Sequence, residues 1–240
     1  MFHKTEGIVL SCATYNDKFS IVHVYTKEFG NVSYLLPRSK NKRSKLKTSL
    51  FFPLSVLDLE VEHLPLRDIQ RLKEAERQFP LYELCTNPSK ISISFFLSDF
   101  LTKVLRESEG NQYLFYYLKQ SITILENLSR GLANFHIAFL YRMTGYMGIE
   151  PKLDNHNKAS FFDLMSGELV ESHPFHSHFL DKAQSKYLQR LSRINFRNMH
   201  LFKLSRADRN IIIDNMITYY RLHVYDFPTL KSLEVLRELF

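Results

Sequence analysis

The hydrophobic pattern of the first third of the chain predicts β-strands. Apolar residues are dense or alternate with polar ones in five segments: residues 5–13, 19–26, 32–36, 50–61 and 68–75. In the fourth segment Leu57, Leu59 and Val61 alternate with acidic residues, and Gly30-Asn31 before the third is typical of a tight turn. The last segment also fits the start of a helix. Five short strands in about 80 residues predict a small barrel or sandwich.

The apolar spacing then changes to a helical one, which predicts a second, helical domain. Asn87-Pro88 is typical of a helix start, and Ser205 followed by Asp208 of an N-terminal cap. Helices are predicted for residues 91–105, 113–128, 132–147, 206–225 and 229–240, with helical patterning resuming near residue 179. Pro80 and Pro88 place the domain boundary between them, so we expect a β domain at 1–80 and a helical domain at 81–240.

One stretch of the helical half does not follow this spacing. Residues 148–178 hold several Pro, Asn and Gly residues, and they include a possible small hairpin of residues 161–164 against 168–170. The hairpin would turn at Ser166-Gly167. We therefore predict an α+β protein whose helical domain carries a loop or hairpin insertion at about 148–178.

Composition and net charge limit the classes of function and partner that the chain can have. Hydrophobic residues make up 45% of the 240 residues, which supports a real core and argues against disorder. The net charge of +7 favours an anionic partner such as nucleic acid, an anionic membrane or an acidic peptide. A basic surface without a specific anion is the alternative, and the total charge alone does not decide.

Cysteine usage and the absence of long apolar runs bear on location. Cys12 and Cys85 allow no disulfide framework and are expected to be small buried side chains in a reducing cytosol. The first residues lack the apolar run of a secretory signal, and no stretch approaches about 20 apolar residues. We expect a cytoplasmic, nucleoid-associated protein without a membrane partner.

The strongest candidate site is a basic run between two predicted strands. Six of ten residues are cationic: Arg38, Lys40, Lys42, Arg43, Lys45 and Lys47. No acidic residue occurs between Glu28 and Asp58, so no nearby carboxylate in the sequence neutralises these cations. Their mutual repulsion persists unless a polyanion such as a phosphate backbone binds to them. A solvated loop without a ligand is the alternative. Tyr15, Phe19 and Tyr34 could stack on bases, although a core position is the commoner role for such rings.

Enzyme and metal signatures are weak or absent. The chain has no Walker-type loop and none of the GxGxxG, GxSxG or HExxH motifs, so we expect no catalytic residue and no cofactor. His173, His176 and His178 lie close together without a cysteine or acidic partner at a usable spacing, which favours a polar loop over a metal site. Asp58, Glu60 and Glu62 are interpreted as the solvated face of a strand, and Cys85 has no base beside it.

The order of several short motifs resembles the RecO family of bacterial recombination and repair proteins. The resemblance spans nearly the whole chain, and no single motif is diagnostic. Its main elements are EGIVL at 6–10, YTKEFG at 25–30, LFFPL at 50–54, LYRMTGY at 140–146, PKL at 151–153 and LKSL at 230–233.

The resemblance implies an N-terminal OB-fold barrel and a C-terminal helical domain. It also implies binding of single- and double-stranded DNA, annealing of complementary strands, and help in loading recombinase onto strands coated by single-strand-binding protein. RecR and the acidic C-terminal tail of single-strand-binding protein are the implied partners. The six cations of the basic run are carried over as DNA-binding residues.

The chain departs from the family at one point. Many members carry a four-cysteine zinc module after the Gly-Tyr motif, and residues 153–174 contain no cysteine. We expect a metal-free loop or hairpin there, held by packing of Phe161, Phe162 and Leu164. An RNA-binding OB protein, or an adaptor that recruits acidic peptides through its helical domain, are the competing interpretations.

Overall fold

Five strands between Phe2 and Arg77 form a closed barrel. The computed structural model describes residues 2–38, 46–153 and 160–240. The strands are β1 (Phe2–Thr14), β2 (Phe19–Thr26), β3 (Gly30–Pro37), β4 (Val56–Glu62) and β5 (Ile69–Arg77). They close in the order β1-β2-β3-β5-β4, with β3 and β5 parallel and the other pairs antiparallel. This is an OB-like barrel, and it confirms the predicted fold class.

Alternating side chains fill the barrel. Val22 and Val24 of β2, Tyr34 and Leu36 of β3, and Leu57 of β4 are almost fully buried in its core. Since the period of a strand is two, their sequence neighbours point outward. The predicted alternation therefore gives the correct inner face of these strands.

Helices follow the barrel, together with a small second sheet. The α-helices of the described residues are α1 (Glu83–Thr86), α2 (Pro88–Val104), α3 (Gln112–Asn127), α4 (Phe135–Tyr146), α5 (Lys182–Leu191), α6 (Arg206–His223) and α7 (Leu233–Leu239). The second sheet contains β6 (Phe161–Asp163), β7 (Glu168–Val170) and β8 (Phe179–Leu180), in the order β7-β6-β8. The predicted hairpin is thus present as β6 and β7, with Gly167 at positive φ in its turn.

The caps predicted from sequence are present. The Asn87 side chain accepts hydrogen bonds from the backbone N–H groups of Ser89 and Lys90, and Pro88 occupies the first turn of α2. Ser205 and Asp208 form a reciprocal capping box at the start of α6.

Three predicted element boundaries were wrong. The strand expected at 50–61 begins only at Val56, because Thr48–Leu50 is a 3-10 turn and Leu54 has a φ of 64° that no strand accommodates. The helix expected from residue 179 is preceded by strand β8 and begins at Lys182. The last helix begins at Leu233, not at Thr229.

The chain divides into two compact units. The first, which we call the barrel unit, contains residues 1–127 and 229–239 and therefore holds the barrel, α1–α3 and α7. The second, which we call the helical unit, contains residues 128–228 and Phe240, with α4–α6 and the small sheet. The domain boundary that we expect near residue 80 concerns which parts of the chain fold independently, and it stays a prediction.

Candidate nucleic-acid interface

The outward face of β2 and β3 is apolar and uncharged at its centre. OB-type barrels bind oligonucleotides on this face and on the loops that join β1 to β2 and β4 to β5. Ile21 pairs with Leu35, and His23 pairs with Ser33, all four half-buried. The His23 ring lies 3.0 Å from the Ser33 hydroxyl, and burial lowers the pKa of His23. A neutral, partly apolar surface of this kind suits contact with bases better than contact with phosphates.

A fixed loop between β1 and β2 borders this face. The Asn16 side chain accepts hydrogen bonds from the backbone N–H groups of Lys18 and Phe19, each at 2.9 Å, which closes a tight turn. Tyr15 in this loop is 61% exposed, whereas Phe19 is half-buried and Tyr34 is fully buried. Of the three proposed stacking rings, Tyr15 is therefore the accessible one, and Tyr34 is a core residue.

The basic run begins beside this loop. The Arg38 backbone N–H donates to the Lys18 carbonyl at 2.8 Å, and the Arg38 guanidinium donates to the Asn16 carbonyl at 3.3 Å. Arg38 and Lys47 are both exposed, and Leu46 before Lys47 is buried in the barrel core. Both ends of the run are thus attached to the barrel.

The remaining cations of the run, Lys40, Lys42, Arg43 and Lys45, lie outside the described residues. Their assignment as DNA-binding residues, like that of Arg38 and Lys47, stays a prediction.

Sequence reasoning missed two further exposed cations beside the β2–β3 face. Lys18 lies in the β1–β2 loop, and Arg71 of β5 pairs with Leu35 of β3. The position of Arg71 becomes visible only through strand pairing, and neither Lys18 nor Arg71 belongs to a recognisable sequence motif.

The loop between β4 and β5 is also held in place. The buried Gln70 amide donates to the carbonyls of Leu64 and Arg67, and its oxygen accepts from the Leu64 N–H at 2.9 Å. Leu66 at the tip is fully exposed. Arg67 is paired with Glu62 at 3.2 Å, so its charge is partly compensated.

Another surface of the barrel is acidic. A groove of about 780 Å³ is lined by Lys4 and by six carboxylates: Glu6, Glu28, Asp58, Glu60, Glu74 and Glu76. Burial raises the pKa of Glu6, but hydrogen bonds from Lys119, Gln78 and Lys27 outweigh it and leave the pKa below its usual value. Since these carboxylates would repel phosphate, the charge of the barrel favours a polyanion on its β2–β3 side.

The small sheet lies in the stretch for which the sequence predicts a loop or hairpin insertion. Phe162, Leu164, Leu169 and Leu180 form an apolar cluster with Tyr219 of α6. Phe162 and Leu164 therefore hold the insertion by packing, as predicted. Phe161 lies outside this cluster and contacts the rings of His173 and Phe179 instead.

The three histidines of this region do not converge. His176 lies 3.2 Å from an Asp163 oxygen, whereas His173 packs between Phe161 and Phe179. Within residues 2–38, 46–153 and 160–240, no group of three His, Cys, Asp or Glu side chains is placed to hold a metal ion.

Both cysteines are more accessible than predicted. Cys12 is half-buried and Cys85 is exposed, because Cys85 lies in the short helix α1, in which Leu84 is the buried residue. Burial and the Glu126 carboxylate nevertheless raise the pKa of the Cys85 thiol, against the lowering effect of Arg77. The thiol is therefore mostly protonated at neutral pH, which makes it a poor nucleophile.

No helix among the described residues has the length and apolar character needed to span a membrane.

Together, these features define an OB-type protein with a basic, partly apolar face and an attached helical region. Residues 1–79 match the family model described as recombination protein O N terminal, and residues 85–234 match recombination protein O C terminal. The chain belongs to the RecO family of DNA repair proteins.

Full-length relatives support the same assignment. The DNA repair proteins RecO of Azobacteroides pseudotrichonymphae and Phocaeicola vulgatus are each 41% identical over 240 residues, which covers both chains completely. The DNA repair protein RecO of Christiangramia forsetii is 30% identical over 241 aligned residues, again with full coverage of both chains.

Proposed function

We propose that this protein is a non-enzymatic mediator of DNA repair that binds single- and double-stranded DNA and anneals complementary strands. The observation that carries the proposal is the run of six cations in ten residues, attached at both ends to an OB-type barrel. Arg38 and Lys47 at its ends are exposed, and the neighbouring β2–β3 face is free of carboxylates.

The proposed mechanism is electrostatic. Two complementary strands repel each other, and this repulsion slows their encounter. A protein that neutralises phosphates on both strands lowers the repulsion and raises the local strand concentration, with release of counterions. Lys and Arg contacts to phosphate carry no sequence information, so binding should be largely independent of sequence.

The proposal extends to partners and to recombinase loading. Membership of the RecO family supports RecR and the acidic C-terminal tail of single-strand-binding protein as partners, and it supports loading of recombinase onto strands coated by single-strand-binding protein. The absence of known catalytic motifs from the sequence agrees with a mediator rather than an enzyme. Its place of action would be the cytoplasm, at the nucleoid.

Salt-dependent DNA binding tests the proposal. Anisotropy titrations of a labelled single strand at several salt concentrations give the association constant. The logarithm of this constant should fall with the logarithm of the salt concentration, with a slope of about −3 to −4 for roughly five neutralised phosphates. Replacing Lys42, Arg43 and Lys45 with Ala should remove about 2 from the magnitude of this slope, since each lost contact to a single strand contributes about 0.7. The annealing rate should fall in parallel.

The matched control removes three cations that lie elsewhere. Lys4, Lys73 and Lys152 are exposed, and the last two are paired with Glu60 and Glu168. Their replacement with Ala changes the net charge equally and should leave the slope almost unchanged. Equal losses in both triple variants would refute a specific role for the basic run. Tighter binding of RNA than of DNA of the same sequence would support the RNA interpretation instead.

A further inference from the structure

The helical unit carries a second cationic surface, along α5 and the segment after it. Four exposed cations line a groove of about 1010 Å³: Lys186, Arg190, Arg193 and Lys203. Among the described residues, no carboxylate lines this groove and none forms an ion pair with these four side chains. The lining of this groove therefore concentrates positive charge without a carboxylate among its residues.

Three of the four cations follow one another along α5 and just beyond its end. Lys186 and Arg190 are four residues apart on α5, which places them on one side of the helix and about 6 Å apart along its axis. Arg193 lies just beyond the end of α5 and lines the same groove. A row of charges suits an extended polyanion, which presents one charge per repeat, better than it suits a single small anion.

Hydrogen bonds fix the segment that carries Arg193 and Lys203. The Asn198 side chain accepts from the Asn195 N–H and donates to the Arg193 carbonyl, each at 2.8 Å. The buried Asn134 side chain donates to the carbonyls of Met199 and Phe202, at 2.9 and 2.7 Å. A ligand would thus meet a backbone that is already ordered, which reduces the entropy lost on binding.

The groove also contains neutral polar groups, namely Gln189, Ser192 and Asn198, and the half-buried ring of Tyr187 lines it as well. The Ser192 hydroxyl donates to the Gln189 carbonyl at 2.8 Å and Asn198 uses one amide hydrogen at the Arg193 carbonyl, so the Gln189 amide and the second amide hydrogen of Asn198 are the donors left for a ligand. Side chains of these types, together with Lys and Arg, are the usual donors to phosphate oxygens. The lining therefore resembles a surface that follows a sugar-phosphate backbone.

We propose that this groove binds the phosphate backbone of a second DNA strand, while the basic run of the barrel unit binds the first. The inference rests on the proposed function, because annealing requires that two strands be bound by one protein. An acidic peptide is the competing ligand. Four cations along one groove, with the neutral donors of Gln189 and Asn198 in the same lining, favour an extended nucleic-acid backbone over it.

The test counts strands bound per chain. Full-length protein is titrated with a labelled oligonucleotide of about 10 nucleotides, short enough to occupy one site. The groove variant replaces Lys186, Arg190, Arg193 and Lys203 with Gln, and the control replaces Lys4, Lys73, Lys152 and the exposed Arg221 with Gln. Thermal unfolding checks that both variants are folded, and a polyglutamate peptide serves as the acidic probe.

We expect two strands per chain in the parent and the control, but one in the groove variant. The strand that remains should keep the salt slope of the basic run, and annealing should slow at least tenfold. Two strands on the groove variant, with annealing as in the control, would overturn the inference and leave the proposed function intact. Loss of polyglutamate binding alone would also overturn it, in favour of a peptide site. No strand on the parent would overturn both proposals.

Discussion

At the residue scale, the buried His136 makes stability depend on pH. His136 of α4 is fully buried in the helical unit, and its ring lies 5.6 Å from that of Phe240. Burial and the positive charge of Arg209 lower the pKa of His136 to about 3. In the unfolded chain this histidine takes up a proton near pH 6.5, whereas in the folded chain it stays neutral at that pH. Stability from this residue is therefore complete above about pH 6.5 and is lost as the pH falls towards 3.

His136→Leu should flatten this dependence. Between pH 7.5 and pH 5, the free energy of unfolding of the variant should fall by about 2 kcal/mol less than that of the parent. Urea unfolding followed by circular dichroism at the two pH values measures the difference. His200→Leu, at an exposed position, is the control and should follow the parent. If the free energy of unfolding fell as much in the His136 variant as in the parent between the two pH values, the His136 ring would not be held neutral in the folded protein.

The aromatic residues show which side chains could be assigned to the core or to the surface from the sequence. Tyr34 lies in phase with Val32 and Leu36, so the strand period already indicates its burial. Tyr15 follows the last residue of β1, where the period no longer applies, and only the folded loop shows that it is exposed. Periodicity thus identifies core rings and leaves loop rings undecided.

At the element scale, apolar packing holds the small sheet together. Phe162 is 1% exposed and lies against Leu164, Leu169, Leu180 and Tyr219. Three strands of only two or three residues cannot be stable alone, so their stability depends on this cluster and on the contact with α6. Phe161, on the opposite side of the same strand, is only half-buried.

Phe162→Ala should therefore lower the free energy of unfolding by about 3 kcal/mol or more, since it removes a buried ring and leaves a cavity. Phe161→Ala is the matched control and should cost clearly less. Urea unfolding measures both. A zinc chelator should not shift the Tm of the parent protein, and a shift comparable with that of the Phe162 variant would contradict stabilisation by packing.

Element boundaries were predictable where one local rule applies. Half-buried and buried residues alternate along β2 from Phe19 to Val24, and its predicted bounds match Phe19–Thr26. The start of β4 was misplaced because Leu54 adopts a left-handed backbone conformation that its residue type does not suggest. Residues 68–75 were ambiguous because the buried Gln70 makes an inward position of β5 polar, and its partners lie in the preceding loop.

At the scale of the whole molecule, the barrel unit is built from both ends of the chain. Helix α7 packs on α2, and Asp99 accepts hydrogen bonds from the backbone N–H and the hydroxyl of Ser232, at 3.2 and 2.9 Å. Leu233 and Leu236 of α7 are buried. No local pattern could predict this contact, because it joins residues more than 130 positions apart.

Leu236→Ala should destabilise the barrel unit and not only its own helix. We expect a loss of about 3 kcal/mol for this fully buried side chain, and less than about 0.5 kcal/mol for the half-exposed Leu239→Ala. Amide hydrogen exchange should accelerate in α2 as well as in α7. Faster exchange confined to α7 would show that this helix frays independently.

The arrangement has a consequence during synthesis on the ribosome. Residues 1–127 emerge first, but the segment that completes their unit follows about a hundred residues later. At a usual elongation rate, the surface of α2 that receives α7 stays uncovered for roughly 5 to 20 seconds. A nascent chain in this interval, or a product that stops short of residue 229, exposes an apolar surface that chaperones and proteases recognise. We therefore expect chaperones and proteases to act more on chains that lack a docked α7 than on chains in which residues 229–239 complete the barrel unit.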